Sequence, residues 1–403
     1  MVGYTKSFTA SRMSLDASAG PTTLAPLDAM NEQIRALFPI TQTYNYLNHA
    51  AVSPPPAPTI AAVESQLRDV SISGSLNYRQ WIATKERTRQ LIAGMMGARP
   101  EQVAFLRNTS DALSSVANGL SWKPGDNLVT FALEFPSNVY PWLRLRDTMG
   151  VEIRVCEEQN GRIDLDKLIS LIDARTRVVA ISHVQYASGF RADLERLGRA
   201  TRHHDALLVV DIIQSLGVLP INVESDLIDV AAAAGHKWLL TPEGIGLLYL
   251  SDRARERIEP TLVGWVSVPN PDDYNNFSQG WNKGTLPWET GTGPSALFYG
   301  MEASLKLLTE TGVRRIAEYL EELTDHLCGR LANSDYEVVS SRAPQEKSQI
   351  VCIQHKGEFS PMSLYAHLKE RNIITAPRGE RLRISPHLYN TREEIDALVD
   401  SLP

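Results

Sequence analysis

Cysteine is scarce in this chain. There are three among 403 residues (Cys156, Cys328 and Cys352), widely separated, odd in number and without a C-x-x-C pair. That argues against a disulfide framework and a zinc knuckle, and free thiols fit a reducing, cytoplasmic setting. Nine scattered histidines offer no metal-ligand spacing, so no metal is expected. Positive charge is short as well: 40 Lys and Arg against 47 Asp and Glu leave a net charge of -7. Nucleic-acid and anionic-membrane binders need the opposite excess. No run of about 18 apolar residues exists, so no membrane span is expected. Residues Met1–Met30, rich in Ser, Thr, Ala and Gly, lack the continuous apolar core of a signal peptide. They read either as an arm that wraps a partner subunit or as a disordered tail.

What is present is an ordinary globular composition, 43% hydrophobic and 22% charged, at a length that suggests a large and a smaller domain. Short runs rich in Val, Ile and Leu recur at 102–106, 127–132, 151–155, 177–184, 206–210, 227–232 and 245–250. Such runs suit strands buried on both faces. Helix-length segments such as 164–172 and 193–203 separate most of them. The alternation predicts an α/β domain with a mainly parallel seven-stranded sheet and helices on both faces. From Pro294 onward the pattern changes to two long helices, strands near 336–340 and 349–354, a helix over 361–371, strands at 373–376 and 381–385, and a last helix. This predicts a smaller α+β C-terminal domain. The divisions are an arm and helix over 1–43, a large domain over 44–293 and a small domain over 294–403.

In parallel α/β sheets, ligands sit outside the carboxyl ends of the strands, and four such ends carry polar residues. Arg107-Asn108-Thr109-Ser110-Asp111 follows a strand and opens a helix, which makes either an anion site or a plain N-cap. Asp211 closes Leu207-Leu208-Val209-Val210, with Gln214 three residues on. A carboxylate there needs a cationic or donor partner, such as a protonated pyridine nitrogen; a structural cap or a ribose-binding acid would serve equally. Ala231-Ala232-Ala233-Ala234-Gly235-His236-Lys237-Trp238 brings small residues, then His and Lys together. A lysine nucleophile must lose its proton, which burial or nearby cations encourage. Glu134-Phe135-Pro136-Ser137-Asn138 places an aromatic at a strand end, where it plugs the core or stacks on a flat ring. Taken together, the four favour a planar aromatic cofactor with a phosphate and a carbonyl.

The ordered set Asp211-x-x-Gln214, Gly235-His236-Lys237-Trp238 and Gly244-x-Gly246 resembles the class V aminotransferase branch of fold-type I pyridoxal-phosphate (PLP) enzymes. That branch includes cysteine desulfurases, isopenicillin-epimerase-like proteins and kynureninases, and the likeness runs from about Tyr46 to Asn390. The resemblance implies that Lys237 is the Schiff-base lysine, Asp211 the partner of the pyridine nitrogen and Gln214 the partner of the ring oxygen. Thr109, Ser110, Asp111 and His236 resemble the phosphate cradle, and Phe135 the stacking aromatic. In Trp288-Glu289-Thr290-Gly291-Thr292, Thr292 matches a residue that reaches the other subunit's phosphate, which implies a homodimer with shared sites. Arg383 resembles the clamp for the substrate α-carboxylate, its planar fork suiting bidentate binding. Asn48 and His49 fall where the family lines the substrate mouth; His49 is an acid/base group or a packed structural histidine.

The sequence departs from the family in three places. Ala234 stands where a serine is common, Phe135 where desulfurases stack a histidine, and 371–383 lacks the desulfurase cysteine, so a persulfide on the enzyme is not expected. The resemblance implies a PLP enzyme of aminotransferase class V type acting on an amino acid through Lys237. C–S β-elimination and epimerisation are alternatives within the family, and a non-catalytic PLP-fold binding protein is the alternative outside it. A nicotinamide oxidoreductase would need Gly-x-Gly-x-x-Gly after an early strand, and the chain has none.

Overall fold

The computed structural model describes residues 32–403; the arm expected over the first thirty residues lies outside them. All seven expected strands form one sheet: β1 (Val103–Leu106), β2 (Asn127–Phe131), β3 (Glu152–Cys156), β4 (Thr176–Ser182), β5 (Leu207–Asp211), β6 (Val230–Ala234) and β7 (Gly246–Leu250). Their order is β1-β7-β6-β5-β4-β2-β3. β7 runs antiparallel to both neighbours and the other pairs are parallel.

The reason for this layering is visible residue by residue. Leu207 and Val209 of β5 join one apolar core, whereas Leu208 and Val210 join the other. Successive side chains of a strand point to opposite faces, so a run apolar at every position needs cover on both. The strand expected from Leu227 begins three residues later, because Leu227 itself has a φ of 54° and turns the chain. At the other end of that motif Gly244 has a φ of 104°, and a Cβ on Gly246 would lie 2.8 Å from the Cα of Asn108. The glycines therefore let β7 pass against the loop that opens helix Thr109–Gly119.

Helices α1 (Ala57–Ser73) and α2 (Tyr78–Met96) precede the sheet and pack against the long helix Ser295–Thr311. That helix carries Met301, Leu305 and Leu308 into the apolar core that covers one face of the seven-stranded sheet. The exchange is reciprocal: Asn45–Tyr46 pairs in parallel with Ile373–Ile374, and Leu47 joins the apolar core of the small domain. That domain holds an antiparallel sheet of β8 (Tyr336–Val338), β9 (Val351–His355), β10 (Ala376–Arg378) and β11 (Arg381–Ile384), in the order β8-β9-β11-β10. Among the described residues no helix is long and apolar enough to cross a membrane.

One buried ion cluster fastens α2 to the edge of the large sheet. Glu289 accepts from the Arg89 guanidinium at 2.5 Å and the Lys85 ammonium at 2.5 Å. It also accepts from the Phe105 N–H of β1 at 2.8 Å, and Arg89 donates to the Val103 carbonyl at 2.6 Å. Burial alone would raise the Glu289 carboxyl pKa; the two cations win and hold it below the ordinary range. Removing one member of a buried ion pair costs about 3–5 kcal/mol because the other charge is stranded. Glu289→Gln is therefore expected to lower the unfolding free energy by about 3 kcal/mol in a urea titration. A change under about 1 kcal/mol, the scale of an exposed pair, would contradict this role.

Candidate active site

The carboxyl ends of β4, β5 and β6 open into a cavity of about 280 Å³, to whose wall the β10–β11 hairpin contributes Arg378 and Arg383. This is close to the size of a small-molecule site. Into it come Lys237, just past β6, and Asp211, the last residue of β5. Both are buried, at 6% and 1% exposure. Burial is the largest influence on each, pushing the lysine below the ordinary amine range and the carboxyl above its own. Their opposite charges counter it, while Arg383 and Arg378 drive the lysine down further. The Asp211 carboxylate accepts one hydrogen bond, from the Ile213 N–H at 2.9 Å.

Arg383, on β11, is 1% exposed and borders the same cavity. Its guanidinium donates to the Tyr186 carbonyl at 3.0 Å and to the Asn48 side-chain oxygen at 3.2 Å. Its Nε has no hydrogen-bond partner, and among the described residues no carboxylate lies within ion-pair distance of it. Burial first, then Arg378, pushes its pKa down to about 10. A buried cation without an anion is costly, which marks the place where an anionic ligand group would be favourable.

Helix α3 (Thr109–Gly119) begins at the cavity. Thr109 and Ser110, in its first turn, have N–H groups with no intrahelical acceptor, and the Thr109 hydroxyl is buried without a partner. The Ser110 hydroxyl bonds that of Ser137 at 2.6 Å, and His236 completes this end. Such a helix start favours an anion. Asp111, expected in the same cradle, is differently employed. Its N–H donates to the Asn108 side chain at 2.9 Å, which caps the helix, and its carboxylate pairs with Arg107 at 3.0 Å. Phe135 forms a wall: the Lys237 ammonium lies 5.2 Å from its ring centroid, and Tyr186 meets it edge-on at 5.1 Å. Beneath Phe135, Glu134 is buried and receives the Ser182 N–H (2.8 Å) and hydroxyl (2.6 Å) together with the amides of Gln185 (2.6 Å) and Asn138 (2.9 Å).

Three expected residues lie elsewhere. His49 is fully buried behind the cavity. Its Nδ1 contacts the Ser385 carbonyl at 2.8 Å and therefore carries the proton, and its Nε2 accepts from the Tyr389 hydroxyl at 2.8 Å. Burial drives its pKa to about 3, so the packed structural histidine is the reading that fits, not the acid/base group. Gln214 donates to the Ala50 carbonyl at 3.1 Å and accepts from the Trp238 indole at 2.7 Å. It thus buttresses the Lys237 segment from behind. Thr292 borders a neighbouring hollow of about 320 Å³, on the far side of the 107–111 loop from Lys237. Asn48 is brought to the site, but through Arg383. Tyr186, Ser137 and Arg378 line the cavity without having been singled out. Tyr186 follows β4 closely and the strand-end rule would have found it; Arg378 had no such signal.

The chain matches the model of the aminotransferase class-V family over residues 45–398. A probable cysteine desulfurase of Methanothermobacter thermautotrophicus is 29% identical over 397 residues, covering 92% of this chain and 97% of that protein. Among solved structures, the apo cysteine desulfurase of Thermococcus onnurineus NA1 superposes with a TM-score of 0.83 at 25% identity, over 92% of this chain and 96% of that one. The cystine C–S lyase C-DES, in complex with its product cysteine persulfide, gives 0.82 at 22% identity over 90% and 98%. The chain belongs to the class-V aminotransferase family and has its fold-type I architecture, and it is a pyridoxal-phosphate-dependent enzyme.

Proposed function

We propose that this enzyme cleaves a C–S bond of an amino acid by β-elimination, with Lys237 holding the cofactor and Arg383 binding the substrate α-carboxylate. The observation that carries the reading is one cavity where a buried amine, a buried carboxylate and a buried guanidinium without an acid meet. The residues fit pyridoxal phosphate. The partnerless Thr109 hydroxyl, the free N–H groups of Thr109 and Ser110, and His236 suit its phosphate. Asp211 suits its ring nitrogen, since a cationic N–H stabilises a carboxylate that burial otherwise disfavours. Phe135 suits its ring face.

When bound, the cofactor supplies an electron sink for charge developing at Cα. The remaining tasks fall to the chain. Arg383 fixes the α-carboxylate with a planar two-point contact, and its own position is fixed by Tyr186 and Asn48. Lys237 Nζ, held below the ordinary lysine range, loses its proton readily and takes the proton from Cα. Thr292, which lines the neighbouring hollow and not this cavity, is left to serve the partner's site in a homodimer.

The thiols support elimination without a persulfide on the enzyme. No cysteine borders the cavity and none occurs between Arg371 and Arg383. Cys352, beside Arg383 in the sheet, is buried, donates to the Ala187 carbonyl at 3.3 Å and has its pKa pushed up to about 11, mainly by burial. A thiol that stays protonated is a poor nucleophile. In C-DES, named a cystine C–S lyase, cysteine persulfide is the reaction product, which accords with sulfur leaving on the substrate fragment.

Supplied with cystine, the PLP-loaded chain is expected to release pyruvate, ammonia and cysteine persulfide in equal amounts. A chain carrying Cys156→Ala, Cys328→Ala and Cys352→Ala is expected to do the same. Loss of turnover in that variant with PLP retained, or release of a keto acid with the sulfur still attached, would overturn the reading. A second expectation concerns pH. Burial lowers the Lys237 pKa below 10.5, the ordinary value. The neutral, reactive amine therefore accumulates as pH rises through that lowered pKa, and the rate of PLP capture by the apoprotein should rise and level off below pH 10.5. A rate still climbing there would show an ordinary exposed lysine.

A further inference from the structure

Arg378 is the cavity residue that the reading above leaves without a task. It ends β10, is half-buried and borders the same cavity as Arg383 and Lys237. Hairpin register explains why it is there. Arg378 pairs with Arg381 and Ala376 pairs with Arg383 across β10 and β11. Cross-strand partners share a face, as do residues two apart, so Arg378, Arg381 and Arg383 all project from one side. Gly379, with a φ of 56°, and Glu380 make the two-residue connection. Arg381 is neutralised by Glu158. Arg378 has no ion-pair partner among the described residues, and donates only to the carbonyl of its neighbour Pro377, at 2.6 Å. Both remaining arginines act electrostatically on Lys237, and Arg378 acts on Arg383.

The charges then distribute as follows. The cofactor phosphate is matched by the start of α3 and His236, Asp211 by the ring nitrogen and Arg383 by the α-carboxylate, and Lys237 is neutral when it takes a proton. One cation, Arg378, is left facing the cavity with no anion. We infer that Arg378 selects substrates whose side chain ends in a second anionic group, so that the preferred substrates are cysteine derivatives carrying a carboxylate on the sulfur substituent. Apolar S-alkyl cysteines leave the guanidinium unmatched at a partly desolvated site, and neutral polar ones replace a charge-assisted contact by a weaker one. This inference rests on the proposed binding of an amino acid beside Lys237, and it adds the identity of the distal group.

The test compares S-carboxymethylcysteine with S-carbamoylmethylcysteine, its uncharged near-isostere, on PLP-loaded protein. Dissociation constants are read from the change in cofactor absorption on titration, which needs no turnover. The acid is expected to bind about 10- to 100-fold more tightly than the amide, the range for one hydrogen bond to a charged group. In Arg378→Gln the ratio should fall to near one, and in Arg378→Lys it should be partly restored. A ratio near one in the unaltered chain overturns the inference. So does an unchanged ratio in Arg378→Gln accompanied by weaker PLP retention, which would put Arg378 on the cofactor phosphate instead. Selective binding of the acid by a chain that releases no pyruvate from cystine would leave this inference standing and sink the lyase reading.

Discussion

A guanidinium taken out of water must find an anion or be held at a cost of several kcal/mol. Arg383 is 1% exposed and finds only a backbone carbonyl and an amide oxygen. The fold tolerates it because two domains share the work of holding it. β11 supplies the arginine, the segment after β4 supplies Tyr186, and the parallel bridge of Asn48 with Ser385 brings the amide to it. The same enclosure lowers the Lys237 pKa and raises that of Asp211. An incoming carboxylate at Arg383 relieves the mismatch, so electrostatics orders the site before any chemistry begins.

The large domain makes this enclosure possible by ending its central strands at one edge. β5 delivers Asp211 as its last residue and β6 delivers Lys237 three residues beyond its end. Strands apolar at every position are covered by helices on both faces, which leaves the strand ends as the exit for polar groups. Behind that edge lies a second layer. Gln214 holds the Trp238 indole, and His387 contacts the Trp238 carbonyl at 3.3 Å. Glu134 gathers four donors under Phe135. These contacts fix the backbone that presents Lys237 and Phe135.

Much of this was legible in the sequence, for a definite reason. Strands buried on both faces leave an unmistakable run of Val, Ile and Leu, which marks β1 to β7, and polar residues at their ends stand out against it, which singles out Asp211 and Lys237, two residues that border one cavity. What escaped depends on contacts distant in the chain. Glu289 meets Arg89 across 200 positions, and nothing local in Trp288-Glu289-Thr290 announces a buried ion cluster. Arg378 reads as one more charge at a hairpin tip until the register puts it on the face of Arg383. His49 was undecided because local sequence does not reveal whether both ring nitrogens are already satisfied, and here they are.

The proposed chemistry requires that Lys237 be the amine that carries the cofactor. Borohydride reduction of the PLP-loaded protein, followed by digestion and peptide mass spectrometry, reads this directly. A pyridoxyl adduct on the peptide containing Lys237 is the expected result. An adduct on another lysine, or none on protein shown to retain its cofactor, would contradict it.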